Sequence, residues 1–73
     1  MKLRKMDLTK FSNVPDDTRV LVTICIPEDN RNEMYTGTVC GNHINYDDGK
    51  TDFKNTIAHY IESGWANVYV LGV

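Results

Sequence analysis

Met34-Tyr35-Thr36-Gly37-Thr38-Val39-Cys40, then Gly41-Asn42, then His43-Ile44-Asn45-Tyr46 reads as two strands joined by a two-residue turn. Glycine at the first turn position supplies the positive φ that a tight hairpin needs. A two-residue loop leaves one register. Val39 faces Ile44, and Gly37 faces Tyr46, so an aromatic ring covers a residue that has no side chain of its own. Cys40 and His43 then face each other across the turn.

Upstream, Arg19 to Ile26 alternates with period two. Val20, Val22, Ile24 and Ile26 share one face of a strand, and Leu21, Thr23 and Cys25 share the other. Pro27 ends it, and Glu28-Asp29-Asn30-Arg31-Asn32 is rich in turn formers. Further upstream, Asp7 is placed to cap one helical turn over Leu8–Ser12, which ends before Pro15. Residues 1–6 read as an arm or an edge strand.

Downstream, Asp47-Asp48-Gly49-Lys50 is a turn signal. A helix is expected after it, capped by Thr51 or Asp52. Phe53, Ile57, Tyr60 and Ile61 recur at helical spacing, while Lys54, Asn55, Ala58, Glu62 and Ser63 fall mainly on the outward side. Gly64 stops the helix. Trp65 is expected to pack over its end. Asn67 to Val73 is a last strand with apolar residues on both faces: Val68 and Val70 on one, Tyr69, Leu71 and Val73 on the other.

These elements predict an α+β chain forming one domain over residues 1–73. The expected sheet is small and mixed, with about four strands in the order β-β-β-α-β. An antiparallel meander is joined by the C-terminal strand, with one helix packed on one face. The last strand should lie beside the first and parallel to it, through a right-handed crossover.

Composition bounds the function. Of 73 residues, 41% are hydrophobic and 25% charged, the balance of a folded chain rather than a disordered one. A chain of this size buries only about 60% of its unfolded surface, which leaves little room for a deep, dry active site. The net charge is −2, and the charge is uneven. Residues 1–10 hold four bases against one acid, a balance of +3; residues 11–73 hold four bases against nine acids, a balance of −5. An acidic body disfavours direct nucleic-acid binding, which draws on basic excess. No apolar run approaches the ~18 residues of a membrane span. Met1-Lys2-Leu3-Arg4-Lys5 has no apolar stretch behind it, so a cytoplasmic location is expected. Two cysteines make no disulfide framework, and Cys25 and Cys40 are expected as free thiols.

The motifs that would carry chemistry are incomplete. Gly49-Lys50-Thr51 resembles the end of a phosphate loop, but Ile44 stands where its first glycine belongs. Asn45, Asp47, Gly49 and Asp52 lack the order and the distal glutamate of a calcium loop. Cys25, Cys40 and His43 supply a thiol–imidazole set with no fourth zinc ligand and no orienting carboxylate. No catalytic residue, cofactor, metal site or small-molecule substrate is therefore expected.

The acids are the more informative set. In a meander, the loops after the first and third strands lie at the same end of the sheet. One carries Glu28, Asp29 and Glu33; the other carries Asp47, Asp48 and Asp52. Against them stand Arg31 and Lys50, a balance of −4 on one rim. Trp65 and Tyr69 would add an aromatic patch beside it. This implies a non-catalytic module that binds a protein partner with a basic surface. Its most concrete form is a phage or mobile-element inhibitor of the anti-CRISPR or anti-restriction type, whose carboxylates stand in for phosphates. Two alternatives stand beside it. One is a homodimeric or larger accessory subunit that pairs through a sheet edge or the aromatic face. The other is a thiol or metal protein built on Cys25, Cys40 and His43.

Overall fold

The computed structural model describes residues 3–72. One antiparallel sheet of six strands carries two helices on one face. In chain order the elements are β1 (Leu3–Met6), α1 (Leu8–Ser12), β2 (Arg19–Ile26), β3 (Arg31–Cys40), β4 (His43–Tyr46), β5 (Thr51–Phe53), α2 (Lys54–Glu62) and β6 (Ala66–Leu71), with a 3-10 turn at Pro27–Asp29 between β2 and β3. The spatial order is β1-β6-β2-β3-β4-β5. The expected four-strand core β4-β3-β2-β6 lies inside it, with one more strand on each flank. Met1 and Lys2 of the expected arm, and Val73 of the expected last strand, lie outside the described residues.

The hairpin has the expected register. Val39 pairs with Ile44, Gly37 with Tyr46 and Cys40 with His43. Gly41 has φ +59° while Asn42 keeps a negative φ, the pattern of a turn that demands glycine at its first central position. β2 spans the expected residues, and Val20, Val22 and Ile24 are fully buried. α1 is capped by the Asp7 side chain, which accepts from the Lys10 amide at 2.8 Å. It delivers Phe11, fully buried, to the core.

The sheet departs from expectation in direction as well as in strand count. β6 runs antiparallel to β2, with Val20 opposite Val70 and Ile24 opposite Ala66, so the sheet is not mixed and has no parallel crossover. The cause is β5. Thr51–Phe53 adds to the outer edge of β4, with His43 opposite Phe53 and Asn45 opposite Thr51. That extra traverse returns the chain to the Gly41-Asn42 end before α2 begins. α2 therefore climbs where a four-strand layout has it descend, and β6 comes back in the opposite sense. β5 also satisfies backbone groups of β4 that would otherwise form an open edge.

Helix α2 starts later than expected for the same reason. Neither Thr51 nor Asp52 caps it; Phe53 takes that position with no side-chain cap. The Lys54 amide instead donates to the Asn42 carbonyl at 2.8 Å, so the hairpin turn satisfies one of the free N–H groups of the first helical turn. Phe53 points to the other face of the sheet and is exposed, whereas Ala58, expected outside, packs on the core. Ile57 is fully buried. Gly64, at φ +79°, ends the helix as expected. The core lies between the sheet and the two helices, and among the described residues nothing packs on the opposite face of the sheet, which is therefore bare.

Candidate partner-binding surface

Strand alternation decides what the bare face carries. Val20, Val22 and Ile24 point to the helices, so Arg19, Leu21, Thr23 and Cys25 point away. Pairing extends this face sideways. Tyr69 lies opposite both Leu21 and Lys5, Leu71 opposite Leu3, and Met34 opposite Thr23. Leu3 and Met34 remain 50% and 68% exposed, with Leu21, Tyr69 and Leu71 half-buried between them. A contiguous apolar strip thus crosses β1, β6, β2 and β3 with nothing packed over it among the described residues.

The strip ends at a polar network. Arg19 makes two 2.8 Å bonds to the two carboxylate oxygens of Asp47 and donates to the Thr38 hydroxyl at 3.0 Å. The Thr36 hydroxyl donates to Asp47 at 2.6 Å. The Arg19 guanidinium, and after it the Thr36 hydroxyl, hold the Asp47 carboxyl well below the usual carboxylate range.

Five of the six expected acids lie in or toward the loops at one end of the sheet, though not at one level, whereas Asp52 pairs with Ile44 opposite Val39, toward the Gly41-Asn42 end. The Asp47 amide donates to the Thr36 carbonyl at 2.9 Å, while Glu28 and Asp29 lie beyond Arg31. The Arg31–Thr36 stretch between them spans roughly 17 Å. Three of the six are also engaged by other side chains. Asp47 faces the bare side and is paired with Arg19. Glu33 and Asp52 face the helix side, where they accept from the phenols of Tyr35 (2.6 Å) and Tyr46 (2.9 Å). Glu33 also takes Arg31 at 2.8 Å. The Asp48 carboxylate accepts from the Lys50 amide and stays exposed, as do Glu28 and Asp29. α2 ends at this same end, where the Cys25 amide donates to the Trp65 carbonyl, so exposed Glu62 adds to it.

On the helix side these groups make a corner of aromatic rings. Tyr35 and Tyr46 stack with centroids 4.6 Å apart, Lys50 sits 5.9 Å above the Tyr35 ring, and Arg31 lies 6.0 Å from the Tyr60 ring centre. Burial, reinforced by Asp52, pushes the Tyr46 phenol far above its ordinary value. Trp65 belongs to this side, 6.0 Å from Tyr60. It does not join Tyr69, which stands on the bare face.

Cys40 and His43 face each other on the bare face, and both cysteines are free and exposed. Cys25 shares that face but lies opposite Asn32, a distance of roughly 27 Å along β3 from Cys40. One metal ion cannot reach all three. The third neighbour of the Cys40–His43 pair is the Phe53 ring, 5.7 Å from His43.

The sequence reading missed Arg19, Met34 and Phe53. The hairpin register already placed Met34 on the face opposite Gly37 and Tyr46, so the signal for it was present. Arg19 was legible only as the outward neighbour of Val20. Among the described residues no helix is long and apolar enough to cross a membrane. The chain matches no family model, no curated protein and no solved structure.

Proposed function

We propose that this chain is a small non-catalytic protein-binding module. It covers a basic surface of a partner protein with the bare face of its sheet and the carboxylates at one end. The observation that carries this reading is the uncovered strip formed by Leu3, Leu71, Tyr69, Leu21 and Met34. Burying a large apolar side chain of this kind contributes about 1.5–3 kcal/mol. Exposed Glu28 and Asp29 after β2, and Asp48 after β4, add negative charge in loops that point to the same end of the sheet, which favours a partner whose apolar patch has a basic border. In its most concrete form, the module blocks a nucleic-acid-handling protein by occupying its phosphate-binding surface.

The test is capture by immobilised protein from nuclease-treated extract of the native cell, comparing wild type with Met34→Glu and with a Glu28→Ser, Asp29→Ser, Asp48→Ser triple variant. Met34→Glu should abolish recovery of the partner, and the triple variant should weaken it and flatten its salt dependence. Equal recovery by all three proteins rejects the reading.

Self-association is the second reading, favoured by the two sheet edges, β1 and β5, each of which has a strand partner on one side only among the described residues. Light scattering after size exclusion separates the two. A monomer at high concentration removes self-association, while a concentration-dependent dimer establishes it.

A further inference from the structure

We propose that the free edge of β1 and the cleft beside it form a docking site for an extended acidic segment of a partner protein, which adds to the sheet as a further strand. The site lies on the helix side of the sheet, apart from the bare face described above.

Three observations meet there. First, among the described residues β1 pairs only with β6, so its outer row of backbone groups is open to another strand. Second, a cleft of about 660 Å³ runs along β1, between that strand, α1 and the 13–18 loop. Met6, Val14, Pro15 and Val70 give it an apolar lining. Third, its charge is of one sign. Arg4 and Lys10 line it, Lys5 flanks it, and no carboxylate does. Both ion pairs among the described residues are made elsewhere. Elsewhere among the described residues acids outnumber bases, and the neighbouring Asp7, Asp16 and Asp17 stand outside the lining, with Asp7 and Asp16 bonded to the Lys10 and Gly41 amides.

Basic residues on an edge strand also discourage unwanted pairing. That role accounts for Arg4 and Lys5. It does not account for Lys10, which stands on α1 across the cleft, nor for the apolar lining. An incoming strand sends alternate side chains to opposite faces. Apolar residues directed at the cleft would meet Met6, Val14 and Val70. Acidic residues beside them would meet Arg4 and Lys10 on this side and Lys5 on the other. Neutral or basic strands lack that match, so the charge supplies the selectivity and the backbone supplies the geometry.

The experiment uses the full chain, isotope-labelled, and a fluorescent peptide of about eight residues, Val-Thr-Glu-Glu-Val-Thr-Glu-Glu, which turns valine and glutamate in succession to the cleft face and further glutamates to the other. The controls are the same peptide with lysine for glutamate, a copy with alternate amides N-methylated, and decanoate. The acidic peptide should bind at low salt and shift the amide signals of Arg4, Lys5, Met6, Val14 and Val70. Arg4→Gln with Lys10→Gln should weaken it about tenfold or more, and both positions are exposed enough to leave the fold intact. N-methylation should abolish binding. The proposal fails if the lysine peptide binds as well, if the shifts map to the bare face, or if the double variant binds unchanged. Undiminished binding of the N-methylated peptide overturns strand addition, and a cleft that takes decanoate but no peptide is a site for small amphiphiles instead.

Discussion

Tyr46 lies directly over Gly37. A Cβ built on Gly37 would come within 3.0 Å of the Tyr46 ring atom Cδ1 and within 2.6 Å of the Asn45 carbonyl oxygen. The second contact is with backbone, which cannot swing aside as a side-chain tip can. Glycine is therefore required here by the close approach of β4, with the ring supplying the cover that the glycine lacks. Gly37→Ala should destabilise the chain by about 1–3 kcal/mol, read as a lower denaturant midpoint at unchanged slope. An unchanged midpoint would show that β3 and β4 are not so closely paired.

Tyr46 also sets a limit at high pH. Its phenol is raised by burial first and by its bond to Asp52 second. An unfolded tyrosine ionises near pH ~10, whereas the folded one keeps its proton. The stabilisation is complete below pH ~10 and is lost as pH rises above it. Absorbance titration should show Tyr46 ionising only with unfolding, and Tyr46→Phe should unfold at a higher pH than wild type. The same variant leaves Asp52 without its phenol donor and should be less stable at neutral pH, by about 1 kcal/mol.

Acid acts through Asp47 and Glu33. Arg19 and Thr36 lower the first; the Tyr35 phenol and then Arg31 lower the second. Both carboxyls are ionised in the folded state at a pH where the unfolded chain takes up protons, so their stabilisation is present above pH ~4 and lost as pH falls below it. Asp47→Asn should be less stable than wild type at pH ~7, and the difference should shrink below pH ~4. A constant difference across that range would mean that the Arg19–Asp47 pair is not formed in solution.

Bare and buried positions should respond in opposite ways. Met34→Lys should change stability by less than about 0.5 kcal/mol while raising solubility, because Met34 is open to water. Ile57→Ala should cost about 2–4 kcal/mol, since Ile57 is fully enclosed between α2 and the sheet. A large loss at Met34 would mean that the bare face is covered in the native state.

Both thiols are exposed and free. A chromogenic disulfide reagent should titrate Cys25 and Cys40 quickly in native buffer, and protection of either would place a covering element on that face.

What the sequence determined was local. The alternation of 19–26 chose its inner face, the two-residue turn at Gly41-Asn42 fixed which residues pair across it, and Asp7 marked the start of α1. Each depends on neighbours within a few positions, where the period of the backbone and the stereochemistry of a turn leave one solution. The tertiary structure decided what depends on distant partners. Whether Thr51–Phe53 continued into the helix or paired with β4 hung on the open edge of a strand already in place, and that choice reversed the direction of β6. It turned Phe53 outward and Ala58 inward. It was likewise tertiary pairing that set Arg19 against Asp47, 28 positions away, and spread the acids over two levels, because β3 extends past β4. A charge count along the chain cannot resolve this: electrostatic contact depends on distance through space, which the lengths of neighbouring strands set.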